Sequence, residues 1–125
     1  MALILVIDDD EAMRRLIVKT LSADNHRIVE APNGYEGMKL LGEMKPDAVI
    51  TDILMPQKEG IETIREIREV APEMKIIAMS GGGSSHNLMF LDVARAFGAD
   101  AALAKPFRPA ELKDTVEKVL KGLSC

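Results

Sequence analysis

Five short apolar runs alternate with five amphipathic stretches along this chain, and that alternation restricts the folds open to it. The first run, Leu3-Ile4-Leu5-Val6-Ile7, is followed by apolar residues at helical spacing, and the pattern then repeats. Strands are predicted at 3–7, 26–31, 47–52, 75–79 and 101–104, and helices at 13–21, 35–44, 61–70, 88–97 and 112–123. The alternation predicts an α/β fold, in which a doubly wound parallel sheet is covered on both faces by helical crossovers.

The composition fits one domain over residues 1–125, because 47% apolar residues supply a core of that size. A net charge of −4 argues against direct binding to nucleic acid, which needs a basic face. Cys125 is the only cysteine, so the chain makes no internal disulfide. The run 3–7 is too short to span a bilayer and lacks the flanks of a signal peptide. We therefore expect a cytoplasmic domain without membrane contact.

Polar residues follow the predicted strands at the points where they end. Asp8 and Asp9 follow the first strand, Asp52 ends the third, Ser80 follows the fourth and Lys105 follows the fifth. Ligands of parallel sheets bind at the carboxyl ends of the strands, so these side chains are expected to meet. Two carboxylates about 4 Å apart repel by roughly 4 kcal/mol at an effective dielectric near 20, which a cation would relieve. Hard oxygen ligands in an incomplete protein shell favour Mg²⁺.

The acidic cluster also has a purely structural interpretation. Asp8-Asp9-Asp10-Glu11 fits a solvated helix start, with Asp10 as the N-cap whose carboxylate accepts backbone N–H groups. Taken alone, Asp52 would be an ordinary loop carboxylate. Two acidic positions, a hydroxyl and a lysine at four strand ends favour a functional site.

These residues carry a resemblance that covers the chain from end to end. It resembles the receiver domain of two-component response regulators, which implies a flavodoxin-like sheet of strand order 2-1-3-4-5 with five helices. The segments that carry the resemblance are Leu5-Val6-Ile7-Asp8-Asp9 (acidic pair), Asp52-Ile53-Leu54-Met55-Pro56 (D-x-x-M-P), Glu59-Gly60, Ser80 (hydroxyl position) and Lys105-Pro106-Phe107 (K-P-F).

The resemblance implies a phosphorelay function for this site. Asp52 would be the nucleophile that accepts a phosphoryl group from a histidine kinase or a histidine phosphotransfer protein. Asp9, Asp52 and the backbone carbonyl of Leu54 would ligate Mg²⁺, while Asp8 would act largely through water. The domain would promote its own phosphorylation and slow dephosphorylation without being a conventional enzyme.

The resemblance also implies a switch. Lys105 would pair with Asp52 at rest and later with a phosphoryl oxygen, while Ser80 would hydrogen-bond a second one. The Lys105–Pro106 peptide bond is expected to be cis. Movement of Ser80 would bias the following loop, and the surface of the fourth helix, fifth strand and fifth helix would bind an output partner or a second copy.

Two positions depart from the family pattern. Ala102 stands where many receivers carry an aromatic switch residue, and a methyl group has no rotamer to change. The loop that starts Gly81-Gly82-Gly83 is longer than in compact receivers, and we hypothesise that it carries the signal; an ordinary connector is the alternative. Leu54 and Gly82 offer no side chain that could orient an attacking water, which predicts slow self-hydrolysis.

Two other functions share features of this sequence. Asp8-Asp9-Asp10 contains the Asp-x-Asp of haloacid dehalogenase-type phosphatases, but Glu11-Ala12 replaces the Gly-Thr of that family, which is also longer. A receiver-like interaction module that works without phosphorylation usually lacks an acid or the lysine. Both a stand-alone regulator and a receiver joined to an output domain are compatible with the sequence.

Overall fold

The computed structural model describes residues 2–53, 60–80, 92 and 94–122. Its sheet contains five strands, all parallel, in the order β2-β1-β3-β4-β5. The predicted fold class and strand order are therefore confirmed. The bounds of the strands are β1 Leu3–Ile7, β2 Arg27–Ala31, β3 Ala48–Asp52, β4 Lys75–Ser80 and β5 Ala101–Ala104.

Helices follow the strands as predicted. The fourth helix, α4, is described only at residues 92 and 94–96, so half of the predicted segment 88–97 lies outside the described residues. The other bounds are α1 Glu11–Ser22, α2 Gly34–Met44, α3 Gly60–Val70 and α5 Pro109–Leu120. Within the described ranges, no helix has the length and apolar character required to cross a bilayer.

The two faces of the sheet form separate hydrophobic cores. Alternate residues of one strand point to opposite faces, so Ile4 and Val6 pack with α1 and α5, while Leu5 and Ile7 pack with α2 and α3. Every residue of β3 is buried because it lies in the centre of the sheet. This double burial explains the nearly unbroken apolar runs of the strands, and it fixes the positions of the polar residues that follow them.

Local chemistry sets where α1 begins. The Asp10 carboxylate accepts the backbone N–H groups of Ala12 and Met13 at 3.0 and 3.3 Å. These groups have no partner within the first turn of a helix, so an acidic N-cap satisfies them and also complements the positive end of the helix dipole. The prediction that Asp10 is the N-cap is confirmed.

Arg68 connects α3 to the corner between α4 and β5. Its guanidinium donates to the Gly98 carbonyl from Nε at 2.9 Å and from Nη2 at 2.6 Å, and Nη2 also lies 2.8 Å from Asp100 Oδ2. Gly98 has φ of +119°, which suits the end of a helix and only glycine adopts readily. Asp100 Oδ2 also accepts the Ile76 N–H at 2.8 Å, so this corner is bonded to both α3 and β4.

Strand bounds differ from the sequence prediction by single residues. β2 starts at Arg27 because the His26 N–H donates to Leu21 in the preceding turn. β3 starts at Ala48 because the Asp47 carboxylate accepts the Leu3 N–H at 2.8 Å. Side chains and turns compete with the ladder at strand ends, and the periodicity of the sequence does not report that competition.

Candidate functional site

Lys105 joins two of the strand ends. Its Nζ lies 2.8 Å from Asp8 Oδ2, beyond β1, and 3.1 Å from Asp52 Oδ2, at the end of β3. The expected resting contact between Lys105 and Asp52 is therefore present. The shorter contact to Asp8 was not anticipated. Residues 97 positions apart in the chain meet here because β1, β3 and β5 end at the same edge of the sheet.

Three carboxylates converge beside this lysine. Asp8, Asp9 and Asp52 each offer one oxygen, and the three oxygens lie within 4.8 Å of one another. Asp8 and Asp52 are buried, whereas Asp9 is exposed. Such a set of hard, anionic oxygens matches the ligands that Mg²⁺ prefers. Leu54, whose carbonyl was expected to complete the ligand set, lies outside the described residues.

Asp8 is held through all of its polar groups. Its N–H donates to the Ala31 carbonyl at 3.1 Å, and its own carbonyl accepts from Arg14 Nη1 at 2.6 Å. Carboxylate Oδ1 accepts the Asp10 N–H at 2.9 Å, while Oδ2 accepts from Lys105. A buried carboxylate must be compensated in this way, since an unpaired one would be strongly destabilising. Asp8 therefore anchors the acidic loop, residues 8–10, that follows β1.

Lys105 is cationic in this arrangement. Burial alone would lower the pKa of its ammonium, but the hydrogen bond to Asp8 and the charges of Asp52 and Asp8 outweigh burial and raise the pKa above its ordinary value. The side chain is only 11% exposed. Its charge partly cancels that of the carboxylates and lets them lie close together.

Ser80 ends β4 next to the acidic group. It is fully buried, and within the described part of the chain its Oγ has no hydrogen-bond partner. Its backbone carbonyl accepts the Lys105 N–H at 2.8 Å, which fixes it beside the lysine. A buried hydroxyl left without a partner costs about 1–3 kcal/mol, so such groups call for an explanation. Here the hydroxyl lies at the sheet edge where a ligand oxygen would bind.

The strand end that carries Asp52 is held by α3 and by the neighbouring Thr51. Gly60 N–H donates to the Ile53 carbonyl at 3.2 Å, and Thr51 Oγ1 donates to the Asp52 carbonyl at 3.1 Å. A Cβ on Gly60 would overlap the Asp52 carbonyl oxygen. Glycine at this position therefore allows the first turn of α3 to pack directly on the strand end that carries Asp52.

The predicted switch residues are only partly described. Ala102 is half-buried in β5 and pairs in register with Ala78. Its side chain is a methyl group, so the rotamer switch of aromatic receivers has no counterpart at this position. Gly81 and Gly82 lie outside the described residues. The Lys105–Pro106 peptide bond is cis, as expected.

Sequence reasoning missed Arg14. Its guanidinium bonds the Asp8 carbonyl at 2.6 Å and Glu30 Oε1 at 3.2 Å. The available signal was a basic residue one turn into α1, four positions after the N-cap Asp10. That signal is weak, because Arg15 is equally basic and lies beside it.

A doubly wound parallel sheet with an acid–lysine cluster at its topological switch point defines a class of ligand-binding α/β proteins. Within that class, the family model of the response regulator receiver domain matches residues 4–117. The chain therefore belongs to the response regulator receiver domain family, whose members are signalling domains rather than conventional enzymes.

Similar proteins include both long and short relatives. The chain is 34% identical over 122 residues to the response regulator MprA of Mycobacterium sp. (strain KMS), which covers 97% of the chain and 51% of the relative. It is 34% identical over 119 residues to the chemotaxis protein CheY of Thermotoga maritima, covering 94% of the chain and 97% of the relative. The chain thus spans about half the length of the first of these relatives and almost all of the second.

Solved structures agree with this fold. The NtrX structure from Brucella abortus in complex with ADP superimposes with a TM-score of 0.91 at 28% identity, and the match covers 97% of this chain and 27% of NtrX. The chain therefore corresponds to one part of a longer protein in that comparison.

Proposed function

We propose that this chain is the phospho-accepting receiver of a two-component phosphorelay, in which Asp52 accepts a phosphoryl group in a Mg²⁺-dependent reaction. The observation that carries the proposal is the contact of Lys105 with both Asp8 and Asp52, next to the buried hydroxyl of Ser80, which has no partner among the described residues. An acid, a fixed cation and a hydroxyl at one sheet edge are what phosphoryl transfer requires of a protein.

In the proposed reaction a carboxylate oxygen of Asp52 attacks phosphorus. The new O–P bond forms as the N–P bond of a phosphohistidine breaks, and the imidazole leaves with the bonding electrons and takes up a proton. Asp9, Asp52 and the Leu54 carbonyl would hold Mg²⁺, with Asp8 acting through water. Bound Mg²⁺ would neutralise charge on the phosphoryl oxygens.

Lys105 and Ser80 serve the product state. Once Asp52 is phosphorylated, its charge is carried by phosphoryl oxygens, so the Lys105 ammonium pairs with one of them. Ser80 Oγ donates to another and so gains a partner, whereas at rest it has none within the described part of the chain. This difference in bonding between the two states is the free-energy bias that a switch requires. Gly81 and Gly82, which follow Ser80, are proposed to transmit the change.

The proposed partners follow from this role. The phosphoryl donor is a histidine kinase or a histidine phosphotransfer protein, and the output partner or second copy binds the α4-β5-α5 surface. The location is proposed as the cytoplasm, on the single cysteine of the sequence.

Acetyl phosphate labelling tests the proposal directly. The full chain is incubated with acetyl phosphate and Mg²⁺, and its intact mass is measured beside that of Asp52→Asn and of a sample with excess EDTA. We expect one added phosphoryl group in the wild type and none in the other two samples. Labelling of Asp52→Asn, or equal labelling in EDTA, would refute the proposal. An unlabelled but well-folded wild type would favour an interaction module that works without phosphorylation.

Decay of the phosphorylated form gives a second test. Because leucine at position 54 cannot orient a water molecule, we expect the wild type to lose its phosphoryl group slowly. Leu54→Asn supplies a polar side chain and is expected to decay several-fold faster in a mass-spectrometric time course. Equal decay rates would contradict this expectation.

The phosphatase alternative is not supported. The family model that matches residues 4–117 is that of the receiver domain. Turnover of a chromogenic phosphomonoester would be the result that revives it.

A further inference from the structure

Arg14 connects three elements at the edge of the acidic site. It lies on α1, its Nη1 donates to the Asp8 carbonyl at 2.6 Å, and its Nε donates to Glu30 Oε1 on β2 at 3.2 Å. The side chain is only 16% exposed, compared with 42% for Glu30. A planar guanidinium with two partners is oriented more firmly than a single contact would allow.

The carbonyl that Arg14 binds belongs to the peptide unit that joins Asp8 to Asp9. A peptide unit is planar, so fixing the Asp8 carbonyl also fixes the direction of the Asp9 N–H and the position of its Cα. Asp9 itself is exposed and has no strand neighbours, since β1 ends at Ile7. The orientation of its carboxylate toward Asp52 therefore depends on how the preceding peptide is held.

We propose that Arg14 is a positioning residue for the metal ligand Asp9. By holding the Asp8–Asp9 peptide, it keeps the Asp9 carboxylate within reach of Asp52, and Glu30 keeps Arg14 in place. The inference rests on the proposed function, because it takes Asp9 as a ligand of Mg²⁺.

A positioning role and a purely electrostatic role of Arg14 predict opposite effects of its removal on Mg²⁺ affinity. As a charge, an arginine beside a cation site repels the cation, so its removal would tighten Mg²⁺ binding. As a positioning group, it improves the geometry of a ligand, so its removal would weaken binding. Partners that orient metal ligands typically contribute about 10- to 100-fold in affinity. The sign of the change therefore distinguishes the two roles.

Arg15 provides a matched control. It is the next residue of α1, it carries the same charge, and it is 76% exposed in an i,i+4 pair with Glu11 at 2.6 Å. Arg15→Gln thus changes the net charge near the site as Arg14→Gln does, without altering a contact to the acidic loop.

The experiment measures Mg²⁺ affinity by titration calorimetry on the unphosphorylated full chain. We expect Arg14→Gln to weaken Mg²⁺ binding by about 10-fold or more. Arg14→Lys, which keeps the charge but loses the two-pronged contact, should show a smaller loss, and Arg15→Gln should bind as the wild type or slightly tighter. Without metal, amide exchange at Asp9 and Asp10 should be faster in Arg14→Gln than in Arg15→Gln. At saturating Mg²⁺, the labelling rate of Arg14→Gln with acetyl phosphate should return close to that of the wild type.

The outcomes separate this inference from the proposed function. A wild type that binds no Mg²⁺ would refute the proposed function, and this inference with it. A wild type that binds Mg²⁺, together with Arg14→Gln that binds it equally or more tightly, would overturn the positioning role alone. Should Arg14→Gln fail to fold, Arg14→Lys decides: an affinity equal to that of the wild type overturns the inference.

Discussion

Lys105 allows the carboxylates of Asp8 and Asp52 to lie close to each other in the unphosphorylated protein. It contacts Asp8 and Asp52 at 2.8 and 3.1 Å, and Asp8 is fully buried. Removing one partner of a buried charge pair leaves the other charge uncompensated, which typically costs about 3–5 kcal/mol. The lysine thus stabilises the arrangement in which Asp8 and Asp52 lie close together.

The raised pKa of Lys105 predicts a pH dependence. A pKa that is higher in the folded state adds stability below the unfolded-state pKa, near the ordinary value of 10.5, and this contribution disappears as pH rises through the folded-state pKa. We expect the difference in unfolding free energy between wild type and Lys105→Met to be constant near neutral pH and to shrink above pH 10.5. Urea denaturation of both proteins at a series of alkaline pH values measures this difference in unfolding free energy.

Lys113 is the matched control for this titration. Its contact with Asp24 is 3.6 Å long and its side chain is 41% exposed, so Lys113→Met should differ little from the wild type at any pH. A difference for Lys105→Met that grew with pH would contradict the expectation.

Ser80 and Thr51 both carry buried hydroxyl groups, but the two differ in hydrogen bonding. Ser80 Oγ has no partner in the described residues, whereas Thr51 Oγ1 donates to the Asp52 carbonyl at 3.1 Å. We expect Ser80→Ala to raise the unfolding free energy of the resting protein by about 1 kcal/mol, and Thr51→Val to lower it by about 1 kcal/mol. Urea denaturation compares them. A loss of stability in Ser80→Ala equal to that of Thr51→Val would mean that the serine hydroxyl is satisfied at rest.

The helix α3 is placed by close packing at its first residue. Gly60 lies against the carbonyl of Asp52, and its N–H bonds the Ile53 carbonyl at 3.2 Å. A side chain at position 60 would displace either the helix or the backbone of Asp52.

We predict that Gly60→Ala lowers the unfolding free energy by about 1–3 kcal/mol, since a backbone oxygen cannot move as a flexible side chain would. It should also slow the labelling of Asp52 by acetyl phosphate. Gly42, in α2, has no atom within 4 Å of an added Cβ, so Gly42→Ala should instead stabilise by about 0.5–1 kcal/mol. Thermal and urea denaturation of both variants measure the effects. Stabilisation of both to the same extent would show that α3 does not pack as described.

At the scale of the whole molecule, the site adjoins the side of the sheet that is formed by β4 and β5. Ser80 ends β4 and Lys105 directly follows β5, so a change at Asp52 is expected to reach the connection that leaves β4. The other end of α4 is fastened at Gly98 by Arg68, which bonds its carbonyl at 2.6 Å. Motion on phosphorylation is therefore expected to concentrate toward the start of α4.

Hydrogen exchange tests this distribution. Beryllofluoride, which imitates the phosphoryl group, should change amide exchange in residues 81–88 while leaving the corner at Gly98 to Asp100 unchanged. Mass spectrometry of peptide fragments with and without beryllofluoride provides the measurement. Unchanged exchange in residues 81–88 would refute the hypothesis that this loop carries the signal in place of a switch at Ala102.

The periodicity of the chain predicted the fold class, all five strands and the N-cap Asp10, because these depend on local patterning and on local hydrogen bonds. It also predicted that Asp8, Asp52 and Lys105 would meet, because parallel strands end at one edge. The sequence pattern did not indicate that Asp8 takes the shorter lysine contact or that Arg14 binds its carbonyl. The sequence pattern also did not indicate the close contact of Gly60 with the Asp52 carbonyl.

Alternating apolar and amphipathic segments thus specify which elements form and which of their ends come together, since burial of each apolar face admits few arrangements. Only the tertiary structure determines which nitrogen atoms of Lys105 and Arg14 contact which oxygen atoms of the acidic residues. Lys105 can contact carboxylates from distant parts of the chain. Which of them it contacts most closely depends on differences of tenths of an ångström, and local sequence does not encode these.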